Sequence, residues 1–169
     1  CGVAVPPGTT RAWWCRTWMA TVWRDGTYAW LNPDLGIGNN PSATAEGING
    51  DGSIIVGQTY NVNAARRDAA MWVWNGSSYD LTNIGVLPGT PQTFIANVWA
   101  ESVSDDGSII VGMNQFRSNG PFSQQTGFVW TPENGMRSIE SVMADYGLAL
   151  PQDYIVVGME VSADGSSIG

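Results

Sequence analysis

Lysine and histidine are both missing from this chain of 169 residues, so its seven basic residues are all arginine. Without them no Ser-His-Asp or Cys-His arrangement can be assembled within the chain, and a zinc site would have at most two thiols to use. Charge is scarce as well: 13% of residues are charged, and the formal net charge is −8. An acidic surface repels phosphate backbones, which argues against a nucleic-acid partner. No apolar run approaches the roughly eighteen residues of a membrane helix, so no transmembrane segment is expected. At 43% hydrophobic residues, the chain can nonetheless bury a core as one ordinary domain.

Cysteine is limited to Cys1 and Cys15. The expectation is a disulfide between them, closing a small loop in an oxidising compartment. A lipid-modified Cys1 and free thiols are the alternatives. Residues 1–15 therefore read as a Cys-bounded N-terminal segment ahead of a single repeat domain, 16–169. No secretory signal is visible, as expected of a processed chain.

What the chain does contain is repetition. "DGSIIVG" occurs at 51–57 and 106–112, and "DGSSIG" at 164–169. Aligned on the Asp-Gly pair, Ile48, Val103 and Val161 fall in register. A second element alternates with the first: "ATVWRDGTYAWL" at 20–31, "MWVWNGSSYDL" at 71–81 and "GFVWTPENGMRSI" at 127–139, aligning Trp23, Trp74 and Trp130. Two alternating elements at a period of about fifty to sixty residues signal a repeat architecture.

Each element reads as a β-hairpin. Asp25-Gly26, Asp51-Gly52, Asn75-Gly76, Asp106-Gly107 and Asp164-Gly165 are turn dipeptides flanked by Val, Ile, Trp and Tyr, the composition of paired strands. Two hairpins per repeat make four strands, the unit of a propeller blade. In "SIIVG", Ile54 and Val56 share one face and Ile55 takes the other, so the strand is apolar on both sides. Such a strand is covered twice, as between stacked blades. The expected fold is all-β: a propeller-like repeat of four-stranded antiparallel blades, about three in all. It divides into a half-repeat at 16–35, repeats at about 41–90 and 96–140, and a terminal half-repeat at 154–169. A β-sandwich is the alternative.

The pattern carried by Ala45, Ile48, Asp51, Gly52, Val56 and Gly57, and again by Ala100, Val103, Asp106, Gly107, Val111 and Gly112, resembles the HAF-type repeat family of bacterial surface and secreted proteins. The stretch 135–165 looks like the closing repeat of such arrays, and the resemblance implies a short helix near 139–147. It further implies an extracellular or cell-surface, propeller-like protein with no established chemistry.

Counted in order, a Trp hairpin opens the repeat domain and an Asp-Gly hairpin closes it, so each end is half a blade. The halves are complementary, and the expected behaviour is head-to-tail association of subunits into a ring or filament. The favoured function is thus a non-catalytic structural or adhesive protein, a homo-oligomer or homopolymer. A surface module binding glycans or proteins is the alternative, and a carboxylate-based glycan hydrolase or lyase, using unrepeated acids such as Asp80 and Glu140, is less favoured.

A catalytic carboxylate pair is normally unique, whereas Glu46 and Glu101 recur, as do Asp51, Asp106 and Asp164. The aspartates are expected to accept local hydrogen bonds in turns, with Gly52, Gly107 and Gly165 beside them. No metal site is assigned; calcium at "SDDGS", 104–108, is the one cofactor weighed. Trp23, Trp74, Trp130, Ile55 and Ile110 are expected to form the repeat core. Trp13, Trp14 and Trp18, outside the repeat, and Trp99 are the candidates for a binding surface, since indoles stack on sugars and on protein partners. Two insertions, 85–99 and 141–154, carry no distinctive spacing.

Overall fold

A computed structural model describes residues 19–31, 42–61, 63–90, 96–117, 123–151 and 159–169. Cys1, Cys15, Trp13, Trp14 and Trp18, with the disulfide and binding roles expected of them, lie outside these residues.

The first hairpin follows from its turn. Asp25 and Gly26 both have positive φ, 50° and 81°, the two-residue turn whose twist matches that of the strands. It sets β1 (Thr21–Arg24) against β2 (Thr27–Trp30) with Trp23 opposite Tyr28 and Thr21 opposite Trp30. The three later Asp-Gly pairs behave differently from this tight turn. Only their glycines are left-handed, at 71°, 72° and 72°. Each sits in a four-residue loop closed by a backbone bond, from Asn49 to Ile54, Ser104 to Ile109 and Ser162 to Ser167.

Two antiparallel meanders of four strands follow. The first comprises β3 (Ala43–Ile48), β4 (Ile54–Asn61), β5 (Arg66–Trp74) and β6 (Tyr79–Gly85). The second comprises β7 (Asn97–Val103), β8 (Ile110–Arg117), β9 (Ser123–Thr131) and β10 (Gly135–Ser138). A single parallel pairing, Arg67 with Asn97, links them into one eight-stranded mixed sheet. Next comes α1 (Ile139–Asp145), where the Ser138 hydroxyl caps the helix by accepting from the Ser141 N–H at 3.1 Å. The last described stretch, 159–169, is a hairpin holding one bridge, Val161 to Ile168. The fold is mostly β, and among the described residues the strands close into neither a propeller nor a barrel.

Three apolar cores separate four layers. Ala20, Val22 and Leu31 of the first hairpin meet Ile55, Ala70, Trp72 and Tyr79. Val56 and Ala69 then meet Val98, Ala100, Ile110 and Phe128 of the second meander. Val111, Val129 and Ile139 meet Met159 and Val161 of the last hairpin. The alternation in "SIIVG" is therefore used twice: Ile55 and Ile110 face the preceding layer, while Ile54 and Val56, or Ile109 and Val111, face the following one. At roughly 25 cal/mol per Å² of apolar area removed from water, such two-sided burial dominates the packing energy.

The tryptophan alignment is corrected by strand register. Ile55 pairs with Trp72 just as Ile110 pairs with Trp130. The structural equivalent of Trp130 is thus Trp72, fully buried, rather than Trp74, which packs at the margin of the first core. In β1 Val22 faces the following core as Met71 and Val129 do, so Trp23 takes the side that Trp72 and Trp130 take, yet it is 70% exposed. Its neighbour Val22 is the residue that faces the core. Strand alternation turns Trp23 the other way, toward a side where the described residues provide no layer.

Recurring glutamates also find a structural role. The pairing of β3 with β4 shifts between Ala45 and Gly47, and that of β7 with β8 between Ala100 and Ser102. Glu46 and Glu101 are the extra residues of two equivalent β-bulges. Opposite each bulge stands a glycine: a Cβ on Gly57 would collide with the Thr44 carbonyl oxygen, and one on Gly112 with that of Trp99. At the far end of β5, buried Asp68 accepts from Arg66 Nε at 2.7 Å, Asn61 Nδ2 at 2.7 Å and Asn83 Nδ2 at 3.0 Å, a charge paired and hydrogen-bonded as burial requires.

Backbone crowding at the bulge makes Gly112→Ala expensive. It should lower stability by about 3 kcal/mol, the upper end for overpacking. Gly76→Ala, at φ 100° with nothing nearby, should cost only about 1 kcal/mol of backbone strain. Urea denaturation of the two variants beside the parent chain measures both.

Candidate functional site

Chemistry-bearing groups gather at two kinds of place: the repeated turns and the two ends of the stack. In the turns, Asp51 Oδ1 accepts from the Ser53 N–H at 2.8 Å, Asp106 Oδ1 from Ser108 at 2.9 Å and Asp164 Oδ1 from Ser166 at 3.0 Å. These are the turn roles expected of the three aspartates. The residue two positions earlier, unremarked in the sequence, completes each turn. Asn49 Oδ1 accepts from the Ile54 N–H, and the Ser104 and Ser162 hydroxyls accept from Ile109 and Ser167.

The turns are also bonded to one another. Gly50 N–H donates to Asp105 Oδ1 at 2.8 Å, Asn49 Nδ2 to the Asp105 carbonyl at 2.8 Å, and Asp105 N–H to the Ala163 carbonyl at 2.8 Å. Side chains reinforce this ladder: Ile54 lies against Gly107 and Ile109 against Gly165. Over Gly52 the corresponding place is held by the Arg24 guanidinium, which donates to the Gly52 carbonyl at 3.0 Å and stacks 4.8 Å from the Trp74 ring centroid. Tyr79 OH donates to the same carbonyl at 2.6 Å. The carboxylates of "SDDGS" are thereby engaged in protein contacts, and among the described residues no group of three or more His, Cys, Asp or Glu side chains could hold a metal ion.

Trp99, expected on a binding surface, is half-buried and donates its indole N–H to Glu101 Oε1 at 2.9 Å. The other oxygen of Glu101 accepts from the Met159 N–H at 3.0 Å, tying the last hairpin to the second meander. Of the unrepeated acids, Asp80 accepts from Asn75 Nδ2 at 3.0 Å and Glu140 lies in the first turn of α1.

The ends are the most distinctive surfaces. Exposed large apolar side chains concentrate there: Met19, Trp23, Tyr28 and Trp30 on the first hairpin, and Tyr146, Leu148 and Ile168 around the last. Ile48 is the one other such residue among those described. Trp23, Tyr28 and Trp30 form a single aromatic face with Thr21, because the two-residue turn sets Trp23 beside Tyr28 and Thr21 beside Trp30. The Tyr28 and Trp30 rings meet edge-on, their centroids 6.3 Å apart. That register was readable from "TVWRDGTYAW" once the turn type was fixed. At the other end a groove of about 470 Å³ is lined by Ile109, Val129, Val142, Tyr146 and Ile168.

No family model, no curated protein and no solved structure matches the chain. Among the described residues no helix is long and apolar enough to cross a membrane.

The turn bonds hold all three aspartates below the usual carboxylate range. Asp51 is lowered mainly by Ser53, Asp106 mainly by the Ser108 N–H, and Asp164 falls to about 2, chiefly through the Ser162 hydroxyl. A depressed folded-state pKa gives stability that is present above the unfolded value near 3.8 and lost as pH falls toward the folded one. Stability should therefore drop between about pH 4 and pH 2. Replacing Asp51, Asp106 and Asp164 together by alanine should flatten that slope in denaturant titrations across the range.

Proposed function

We propose that this chain is a non-catalytic, extracellular structural or adhesive protein whose propeller-like blades are completed between subunits. The observation that carries this reading is the concentration of exposed apolar side chains at the two ends of the stack. On this reading the four layers are a half-blade of two outer strands, two whole blades, and a half-blade of two inner strands. Joining the halves head to tail gives a heterologous contact, which closes into a ring or continues as a filament. Two chains in a ring would make six blades, within the usual range for propellers. The resemblance to HAF-type repeats supports placement at the bacterial cell surface.

A second reading, a glycan- or protein-binding module, is favoured by one observation. A groove of about 450 Å³ beside the first hairpin is lined by Trp30, Trp74, Tyr79, Arg24, Asp80 and Ser78, the mixture of ring faces and polar groups that suits sugar binding.

Light scattering coupled to size exclusion, followed by electron microscopy of stained particles, should show a dimeric ring or filaments of the intact chain. A monodisperse monomer whose tryptophan fluorescence shifts on titration with polysaccharide would instead favour the second reading.

A further inference from the structure

Strand pairing inside the chain specifies how two copies would meet. In each whole meander the strand leaving the Asp-Gly turn pairs with the first strand of the tryptophan hairpin, Ile55 opposite Trp72 and Ile110 opposite Trp130. In the last hairpin Ile168 stands where Ile55 and Ile110 stand, and in β1 Trp23 follows Val22, which faces the next core, as Trp72 follows Met71 and Trp130 follows Val129. Residues 167–169 are bonded to 160–162 on one side. On the other side no strand among the described residues pairs with them. We propose that β1 of a second copy adds antiparallel to this edge, with Trp23 opposite Ile168, Arg24 opposite Ser167 and Val22 opposite Gly169. The inference rests on the head-to-tail reading and names the partner surfaces.

Two independent features fit this register. Trp130 packs in the second core with Ile54 and Met71. Their counterparts one layer on are Ile109 and Val129, and both line the open groove beside Ile168. Strand addition in the proposed register puts Trp23 on the face that Ile168 presents, toward that groove. The second feature is the altered residue in the third repeat. Ile54 and Ile109 each lie over the glycine of the next turn, and the third copy has Ser167 instead. The turn that would follow belongs to the second copy, which supplies β1, and over its Gly52 the place is already held by its own Arg24 guanidinium. A small residue at 167 leaves that guanidinium in position, whereas an isoleucine would collide with it.

A complementation experiment on the 169-residue chain tests the contact. Trp23→Ala removes one surface and Ile168→Asp the other, and both side chains are exposed enough that circular dichroism and thermal melts should match the parent. Each variant alone should be monomeric, with self-association weakened at least about tenfold, as for loss of a central aromatic anchor. Mixed in equal amounts they should form dimers and nothing larger, since each retains one working end. Ser167→Ile, which restores the residue of the inner repeats, should block assembly while leaving the monomer folded. If the parent chain is itself a monomer, the head-to-tail reading fails and this inference with it. If the parent assembles but either single variant assembles equally well, or the mixture yields no dimer, the register proposed here is wrong while self-association stands.

Discussion

The contact on which this architecture depends is small: an isoleucine side chain of one layer resting on the glycine of the next layer's turn. Glycine is demanded there twice. The backbone of Gly107 and Gly165 is left-handed, which favours a residue without a side chain. The missing Cβ also opens the space that Ile54 and Ile109 enter. Local turn chemistry and layer-to-layer packing therefore use the same atoms. The aspartate before each glycine fixes the loop through the N–H two residues on, and the strand leaving it must be apolar on both faces because layers lie on both sides.

A stack of two-faced layers cannot end in the residues that serve its middle. Repeat arrays usually resolve this with altered terminal units, and the first and last described hairpins both depart from the repeat. At the first hairpin, Val22 takes the inward position while Trp23, Tyr28 and Trp30 occupy the outward face. Arg24, rather than an isoleucine, covers the first turn glycine, and its guanidinium is bonded to the Gly52 carbonyl. In the last hairpin, Ser167 replaces the isoleucine of the other two copies. The two departures are of opposite character, one exposing aromatic surface and the other withdrawing an aliphatic side chain.

Much of this was legible in the sequence, because the features concerned are periodic. The two-sided burial of Ile54, Ile55 and Val56 and the turn role of the repeated aspartates both follow from alternation and dipeptide chemistry. Tryptophan register did not follow, because the hairpins differ in length. In the first meander strand pairing runs on to Trp74 before the turn, whereas in the second the turn begins after Thr131, one residue past Trp130. Aligning on the last tryptophan before the turn therefore slipped the second copy by two residues. The exposure of Trp23 was hidden for another reason: a repeat position implies burial only where a preceding layer exists. The recurrence of Glu46 and Glu101 was visible, but a bulge is a property of two strands and cannot be read from one. Likewise, the bond from Gly50 to Asp105 joins residues 55 positions apart, and no local pattern announces it.

Direction distinguishes the ways in which two copies could bury these ends. Meeting aromatic face to aromatic face would cover Trp23, Tyr28 and Trp30 symmetrically, yet supply no backbone partner to residues 167–169 and leave the groove at Ile109 and Val129 open. Edge strands with unpaired backbone groups are the part of a sheet that most requires cover. Strand addition from head to tail pairs that edge and covers the aromatic face in one contact. Because the two surfaces involved are different, each added copy leaves one of each kind at its own extremities. Assembly by this contact therefore stops only when a ring closes.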